Sequence, residues 1–332
     1  MQFTISAMDG AKIGAEALAS PAQLKTKFLF FGAGGMISEL RRERQSATQK
    51  TNFLFLISVL FLIAFCPSCK NENAVSPEAL RPRLLHDEQE MQAYLESFPK
   101  EQYKVIAVRG GGRFYLDDKQ DEIKNFLRKG GIWEENVVTL LRKYVKPGTT
   151  VIDAGAFIGT HTLFMSKYVG KKGRVYAFEP QRKIYRELVH NLKLNQIRNV
   201  VPLRFALGSG SEIIEMNPAT KGNEGGTGIG QGGDKAELRT IDSFGFRNVS
   251  LIKIDVEGFE DYVIEGAKET IQRYRPILIV EIAGGKDYQK APPEMKVRVD
   301  QSKERIVKLG YSIERMDRHN FLAKPLNPSH QK

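Results

Sequence analysis

The sequence has few of the residues on which small cross-linked or metal-binding proteins depend. Only 2 of its 332 residues are cysteine and only 5 are histidine. A chain of this length buries enough apolar surface without covalent cross-links, so Cys66 and Cys69 do not indicate a disulfide framework. Its histidines and acidic residues also show no clustering at the spacing of metal ligands. We therefore expect a globular protein without a bound metal.

The sequence also lacks a basic face of the kind that binds nucleic acid. Its 50 lysines and arginines exceed its 39 acidic residues, giving a formal net charge of +11. Much of the excess lies in the N-terminal third, as at Arg41, Arg42 and Arg44, and the other basic residues are dispersed. A solvated basic surface explains this pattern better than a groove with interleaved aromatics, so we expect no nucleic-acid partner.

Two nucleotide-binding motifs are missing as well. The turn from Asp153 to Gly159 reads D-x-G-x-x-x-G, which is not the G-x-G-x-x-G that brings a pyrophosphate onto a helix N-terminus. The segment Lys221 to Gly233, here called the glycine-rich segment, holds 7 glycines in 13 residues but has no Gly-Lys-Ser/Thr ending. It predicts a mobile lid or an insertion, and not a site for a nucleoside triphosphate.

One long apolar run lies near the N-terminus. Phe53 to Cys66 is interrupted only by Ser58 and follows basic residues. A membrane span needs about 20 apolar residues, whereas a shorter run is typical of a secretory signal. Residues 1–70 are thus predicted to be an N-terminal extension with a signal-like or anchoring segment at 53–66.

The location of the protein follows from how that segment is used. We expect membrane association through 53–66 with the rest of the chain in the cytoplasm. A soluble cytoplasmic protein and an exported lipoprotein modified at Cys66 or Cys69 are alternatives, and a buried core helix is another reading of the run. Met36 is a plausible alternative start.

The remaining chain divides into an accessory region and a larger domain. Residues 71–132 predict a linker, a helix at 86–98 and a β-hairpin around Gly110 to Gly112. Residues 133–325 alternate strands with helices of about 10–15 residues, which predicts a doubly wound α/β fold with a mostly parallel sheet. Only Asp317 and Arg318 separate the last two strands, so these must be antiparallel.

Special residues stand where the strands of this sheet end. Ligands of open α/β sheets bind outside the carboxyl ends of the strands. "VIDAGAFIG" places Gly155 and Gly159 in the first turn, where Gly155 lets a ligand approach the backbone and Gly159 opens the helix. "AFEP" places Glu179 at the next strand end, 24 residues after Gly155, where it can accept both hydroxyls of a ribose; Pro180 then starts a helix. Without the pyrophosphate motif, a nucleoside such as S-adenosylmethionine fits best.

Acidic residues crowd the end of a buried strand in "SLIKIDVEGFE", Ser250 to Glu260. Unpaired carboxylates are costly inside a sheet, so Asp255 and Glu257 are predicted to border the cleft. There they can attract a cation or accept a substrate hydroxyl. Alternatively, they cap the helix that starts near Phe259, in whose first turn Glu260 is expected.

Four motifs together resemble those of the FkbM-type S-adenosylmethionine-dependent methyltransferases. They are "VIDAGAFIGTHTL", "VYAFEP", "LIKIDVEGFE" with "VIEGAKETI", and "RPILIVEI", in the family's order and spacing over about Trp133 to Pro325. The resemblance implies a class I, Rossmann-like methyltransferase fold of seven strands with an antiparallel last strand. It also implies a small-molecule acceptor, usually a hydroxyl oxygen of a sugar or natural product.

The resemblance further implies roles for individual residues. Gly155, Ala156 and Gly159, after Asp153, would line the methionine part of S-adenosylmethionine. Glu179, followed by Pro180, would hold the ribose, Ala206 and Leu207 would flank the adenine, and Asp255 with Glu257 would border the methyl-transfer site. The family usually has Asn where this chain has Phe157.

The expected reaction is direct in-line displacement of the methyl group by a substrate oxygen. Asp255 is the first candidate for the base, followed by Glu257 and His161. A nicotinamide-dependent oxidoreductase is disfavoured by the absent G-x-G-x-x-G turn. A non-catalytic, membrane-tethered binding protein on a methyltransferase fold is the other alternative.

Overall fold

The computed structural model describes residues 99–282, 289–290 and 292–326. The predicted helix at 86–98, the apolar run 53–66 and both cysteines lie outside the described residues. Within them, no helix combines the length and the apolar character that crossing a membrane requires.

Thirteen strands are present in the described part of the chain. In chain order they are β1 (Tyr103–Val108), β2 (Gly112–Asp117), β3 (Thr150–Ala154), β4 (Arg174–Phe178), β5 (Val200–Leu203), β6 (Phe205–Leu207), β7 (Glu212–Met216), β8 (Ile229–Gly230), β9 (Lys235–Arg239), β10 (Val249–Ile254), β11 (Ile277–Glu281), β12 (Tyr311–Arg315) and β13 (Asn320–Pro325). β1 and β2 pair antiparallel, which confirms the hairpin predicted from the glycines at 110–112.

The described residues also include seven α-helices. They are α1 (Glu122–Arg128), α2 (Glu135–Tyr144), α3 (Thr162–Val169), α4 (Arg182–Leu194), α5 (Glu260–Gly266), α6 (Lys268–Tyr274) and α7 (Pro293–Lys308). The side chain of Asp121 caps α1 by accepting the backbone N–H of Lys124 at 2.9 Å. Such a cap satisfies one of the free donors at a helix start.

The main sheet has seven strands in the order β12-β13-β11-β10-β3-β4-β5. β13 runs antiparallel to both β11 and β12, while the pairs from β11 to β5 are all parallel. This confirms the mostly parallel seven-stranded sheet and its antiparallel last strand. The chain leaves β3 toward β4 and β5 and returns on the other side as β10, so a crevice opens at the carboxyl ends of β3 and β10.

Alternating side chains of the central strands supply two apolar layers. Val151 and Leu251 join the layer that contains α2 and α3, whereas Ile152 and Ile252 join the layer that contains α5 and α6. Period-two alternation continues along each strand, so Asp153 and Lys253 follow Val151 and Leu251 on the first face. These two residues are also partners in the register of β3 and β10.

Two continuous stretches of the sequence are each divided in the structure. The segment "VVPLRFAL" contributes to two sheets, because β5 ends at Leu203 in the main sheet and β6 begins at Phe205 in a second sheet. The helical segment that follows Phe259 breaks at Ala267 into α5 and α6. The break follows a tight contact, because a Cβ on Gly266 would lie 1.9 Å from the carbonyl oxygen of Gly208.

The second sheet has four strands in the order β6-β9-β7-β8 and was not predicted. β8 belongs to the glycine-rich segment, so part of the stretch that was expected to be a mobile lid or an insertion forms a strand. β8 has only two residues, and β7 has a largely solvent-accessible face. Neither gives the strong apolar pattern by which buried strands are recognised.

Close backbone contact joins the turn after β3 to the end of β10. Gly155 has φ of +84°, and a Cβ at this position would lie 1.7 Å from the carbonyl oxygen of Asp255. Glycine is therefore required by the packing of two chain segments, in addition to any ligand. This contact sets the distance between the two strand ends that border the crevice.

Comparison of Gly155→Ala with Gly148→Ala tests this contact. Gly148 also has a positive φ, of +79°, but a Cβ added there would have nothing within 4 Å. We expect Gly148→Ala to cost about 1 kcal/mol of unfolding free energy through backbone strain alone. Gly155→Ala should cost about 2 kcal/mol more because the turn and β10 must separate. Urea unfolding measures both, and equal losses would contradict the contact.

Candidate functional site

A cavity lies at the carboxyl ends of β3, β4 and β10 and is closed on one side by β6 and the glycine-rich segment. Its lining residues are Gly155, Phe178, Glu179, Pro180, Gln181, Phe205, Ala206, Leu207, Met216, Gly225, Thr227, Ile229, Asp255, Val256, Glu257 and Phe259. Seven of these were candidate site residues in the sequence. The other four candidates, Asp153, Ala156, Gly159 and His161, are not in this lining.

Glu179 lies at the tip of β4 with only 4% of its surface exposed. Its Oε2 accepts the backbone N–H of Phe157 at 3.1 Å, and its Oε1 accepts that of Gln181 at 2.9 Å. A carboxylate has about four acceptor positions, so each oxygen can accept one further hydroxyl. Burial raises the pKa of Glu179 to about 7 despite the two backbone hydrogen bonds.

Phe157 adopts a left-handed backbone conformation, with φ of +50°. Asn tolerates this conformation better than a bulky residue does, since its short polar side chain bonds locally. In this chain the Phe157 ring is buried in the apolar layer beside α2 and α3, and its edge faces Gly225. The ring is not part of the cavity lining, while the backbone N–H still reaches Glu179.

The residues beneath the first turn hold its shape. Oδ2 of Asp153 accepts the hydroxyl of Thr162 at 2.6 Å, which ties the end of β3 to the first turn of α3. The N–H groups of Gly155 and Ala156 both donate to the carbonyl oxygen of Phe178, at 3.1 and 2.9 Å. Asp153 and Ala156 therefore act on the cavity through the position of the turn.

A buried lysine neutralises the acids at the end of β10. Nζ of Lys253 lies 2.7 Å from Oδ2 of Asp255 and 3.9 Å from Oδ1 of Asp153. Burial opposes its charge, but the two aspartates raise the pKa of Lys253. The side chains of Asp255 and Glu281 are also hydrogen-bonded.

The proton of this carboxyl pair resides on Glu281. Burial opposes ionisation of Asp255, yet Lys253 and the bond from Glu281 lower its pKa. The charge of Asp255, followed by burial, raises the pKa of Glu281 well above its ordinary value. Glu281 thus donates to an ionised Asp255, whose side chain remains 23% exposed beside the cavity.

Glu257 lines the mouth of the cavity, and part of the residue is exposed to solvent. Desolvation in the cleft and the nearby charges of Asp255 and Glu260 raise its pKa to about 8. Its backbone is left-handed, with φ of +55°, and strained residues of this kind cluster at functional sites. Glu260 lies in the first turn of α5, as expected, and accepts the N–H of Gly258 at 3.0 Å.

His161 is buried behind the crevice, with 3% of its surface exposed. Its ring donates to the backbone of Trp133, and its Nε2 lies 3.6 Å from Oε2 of Glu134, beyond hydrogen-bonding distance. Burial, aided by Lys253, lowers its pKa to about 3. The imidazole is therefore neutral and faces Glu134.

Sequence reasoning missed Lys253 and Glu134. Lys253 had a usable signal, because in "LIKIDVEG" it alternates with Asp255 and so faces the same side of the strand. Glu134 had none: it precedes α2 in a left-handed conformation and accepts the amide of Asn320 at 2.8 Å, across 186 residues of sequence. No group of residues suited to a metal ion occurs in the described ranges.

The family model described as the methyltransferase FkbM domain matches residues 153–317. Residues 153–317 of this chain therefore form an FkbM methyltransferase domain. This match confirms the resemblance carried by the four sequence motifs, and with it S-adenosylmethionine as the cofactor. No curated protein matches the chain.

Solved structures with similar folds are distant in sequence. The FkbM methyltransferase from Methylobacillus flagellatus KT is 18% identical, with 61% of this chain and 52% of that chain covered and a TM-score of 0.38. A SAM-dependent O-methyltransferase from Thermotoga maritima is 16% identical, with 68% and 78% covered and a TM-score of 0.39. A SAM-dependent methyltransferase from Aquifex aeolicus is 18% identical, with 57% and 86% covered and a TM-score of 0.35. The fold assignment rests on the strand order described above.

Removal of the buried cation tests the charge balance at β10. Lys253→Met leaves Asp153 and Asp255 without their partner, so we expect a loss of about 3–5 kcal/mol in unfolding free energy. The double variant Lys253→Met/Asp255→Asn should lose less than the sum of its single changes. Lys308→Met, which removes an exposed pair with Glu304, should cost less than about 1 kcal/mol. Urea unfolding gives these values. Similar losses for Lys253→Met and Lys308→Met would show that Lys253 is not required to balance the charges of Asp153 and Asp255.

Proposed function

We propose that this protein transfers the methyl group of S-adenosylmethionine to a hydroxyl oxygen of a small acceptor, such as a sugar or natural product. The observation that carries the proposal is one cavity with a hydroxyl acceptor, Glu179, at one part of its wall and two carboxyl groups, Asp255 and Glu257, at another. The cofactor supplies a methyl group on a positively charged sulfur; as the acceptor oxygen bonds to the methyl carbon, the carbon–sulfur bond breaks and the sulfur leaves as a neutral thioether. The protein then has to bind both molecules, align the acceptor oxygen with the methyl group and remove the proton of the hydroxyl.

The residues of the cavity suit the parts of the cofactor. Glu179 has free acceptor positions for the two ribose hydroxyls, and Gln181 and Thr227 add polar groups nearby. Ala206 and Leu207 provide an apolar edge for the adenine. Gly155 presents backbone to the methionine part, while the ionised Asp255 favours the positive charge of the ammonium and sulfonium.

Proton removal is better suited to Glu257 than to Asp255 or His161. Asp255 accepts from both Lys253 and Glu281, which makes its carboxylate a weak base. His161 is neutral, but it is buried outside the cavity lining. Glu257 lies at the mouth with a pKa of about 8, near the value at which a general base works best at neutral pH. We assign removal of the hydroxyl proton to Glu257 and stabilisation of the cofactor's positive charge to Asp255.

The two alternative functions receive no support from these contacts. A non-catalytic protein would be favoured if Phe157, in place of the usual Asn, filled the cofactor site, but the Phe157 ring packs away from the cavity. A nicotinamide-dependent oxidoreductase would need the G-x-G-x-x-G turn, whereas the turn after β3 keeps its glycine for contact with Asp255. Membrane association through 53–66 stays a prediction, which fractionation of the tagged full-length protein would test.

Calorimetric titration of S-adenosylmethionine at several pH values tests the role of Glu179. Its carboxylate form accepts the hydroxyls and dominates above its pKa of about 7. Affinity should therefore rise about tenfold between pH 6 and pH 8. Glu179→Gln should weaken binding by about tenfold or more at pH 8 and remove this share of the pH dependence.

The same titration separates the ionisation of Glu179 from that of the cofactor. The pH dependence that comes from the cofactor persists in Glu179→Gln, whereas the part that comes from Glu179 is lost. Exposed Glu212 on β7 provides a matched control, and Glu212→Gln should retain the affinity and pH profile of the unaltered protein. Absence of binding at millimolar cofactor in the unaltered protein would refute the proposed function. Equal pH profiles for the unaltered protein and Glu179→Gln would refute the role of Glu179.

The pH dependence of methylation distinguishes the two candidate bases, once a screen of hydroxylated compounds gives an acceptor. If Glu257 removes the proton, kcat/KM rises as pH increases through about 8, where its carboxyl ionises. Glu257→Gln should lower kcat about 100-fold and abolish the rise. A flat profile from pH 5 to 9, with activity lost in Asp255→Asn and kept in Glu257→Gln, would instead make Asp255 the base.

A further inference from the structure

The glycine-rich segment forms a wall of the cofactor cavity. Gly225, Thr227 and Ile229 belong to the lining, and the segment contacts two other parts of the site closely. A Cβ on Gly225 would lie 3.2 Å from the Phe157 ring, and one on Gly228 would lie 2.9 Å from the carbonyl oxygen of Glu257. The glycines therefore allow the wall to approach the turns after β3 and β10.

This wall is attached to the rest of the protein through Glu224. Its backbone N–H donates to Oδ2 of Asp121 at 2.8 Å. Its carbonyl oxygen accepts from Nε2 of Gln181 and from the hydroxyl of Thr227, both at 3.1 Å. Because Gln181 and Thr227 both line the cavity, the main chain of Glu224 joins two lining side chains directly.

The carboxylate of Glu224 is held between two lysines. Oε2 lies 2.6 Å from Nζ of Lys124, and Oε1 lies 2.7 Å from Nζ of Lys183. Glu224 is 7% exposed and Lys124 is fully buried. Despite the burial, the lysines lower the pKa of Glu224, so its carboxylate is ionised at neutral pH.

Two further acids complete this buried cluster. Lys124 also pairs with Asp117 at 3.1 Å and with Glu187 at 2.8 Å, and Lys183 contacts the same two residues at 2.7 and 3.2 Å. Asp117 ends β2, Lys124 lies in α1, and Glu187 and Lys183 lie in α4. The cluster thus connects the N-terminal hairpin, two helices and the cavity wall.

We propose that Glu224 is a positioning residue for the cofactor site, whose ion pairs with Lys124 and Lys183 hold the glycine-rich wall against the cavity. This inference rests on the proposed use of the cavity for S-adenosylmethionine. Loss of the carboxylate frees the stretch from Gly225 to Ile229, so that cofactor binding must order it again. Affinity falls as a result, whereas the groups assigned to methyl transfer remain in place.

Glu224→Gln in the full-length protein tests the proposal with two readouts. The change preserves shape, and Lys124 still has Asp117 and Glu187, so the fold is expected to survive. In the cofactor-free protein, amide hydrogen exchange over residues 225–230 should become faster. Calorimetry should show S-adenosylmethionine affinity reduced about tenfold, or ~1.4 kcal/mol. With a known acceptor, KM for the cofactor should rise while kcat is retained.

Two further variants complete the design. Lys183 is 33% exposed in its side chain, so Lys183→Met tests the same attachment at a more tolerant position and should shift both readouts in the same direction. Glu215 accepts the N–H of Gly232 at the far end of the segment, outside the cavity lining. Glu215→Gln should leave cofactor affinity within about twofold of the unaltered value.

The outcomes separate this inference from the proposed function. Faster exchange together with weaker binding in Glu224→Gln or Lys183→Met supports the positioning role. Unchanged exchange shows that Glu224 does not hold the wall, and faster exchange with unchanged affinity shows that the wall does not serve the cofactor; either result overturns the proposal. If the unaltered protein binds no cofactor, the proposed function itself fails, while the exchange rates still decide whether Glu224 anchors the segment.

Discussion

The pairing of Lys253 with Asp255 is the interaction on which the arrangement of the site depends. The carboxyl group of Glu281 at the end of β11 interacts with those of Asp255 and Glu257 after β10 and with that of Glu134 before α2. Repulsion among them would be severe without a cation, because charges are weakly screened where water is excluded. Lys253 keeps Asp255 ionised, and that charge in turn keeps Glu281 protonated. One buried lysine therefore favours the charged form of Asp255 and, through it, the neutral form of Glu281.

Buried ion pairs lie at two edges of the cavity, with different consequences. A buried pair rarely adds net stability over an apolar substitute, since both charges lose their hydration. What such pairs do provide is a defined geometry, because breaking one leaves a charge without a partner. Lys253 defines the end of β10, where the chemistry is proposed, whereas Lys124 and Lys183 define where the glycine-rich wall lies. In both cases, ion pairs hold a segment of the chain in place at the edge of the cavity.

Local patterns in the sequence predicted the sheet and much of the cavity, and failed where contacts were distant. Glu179 and Asp255 were recognisable because each directly follows an apolar strand, so their place at the sheet edge follows from the strand order. Glu134 and Glu224 were not, since their partners Asn320 and Lys124 are 186 and 100 residues away. Phe157 shows a third case: its identity was visible, but the direction of its ring depended on Gly225 in another segment.

The extent of the methyltransferase unit follows from the same contacts. The family model begins at residue 153, but Asp117, Asp121 and Lys124 precede it and bind the segment that closes the cavity. Glu134 also precedes residue 153, and it lies beside His161 and accepts the amide of Asn320. The hairpin and α1 are therefore part of what shapes the site, and removing them would release the wall that Glu224 holds.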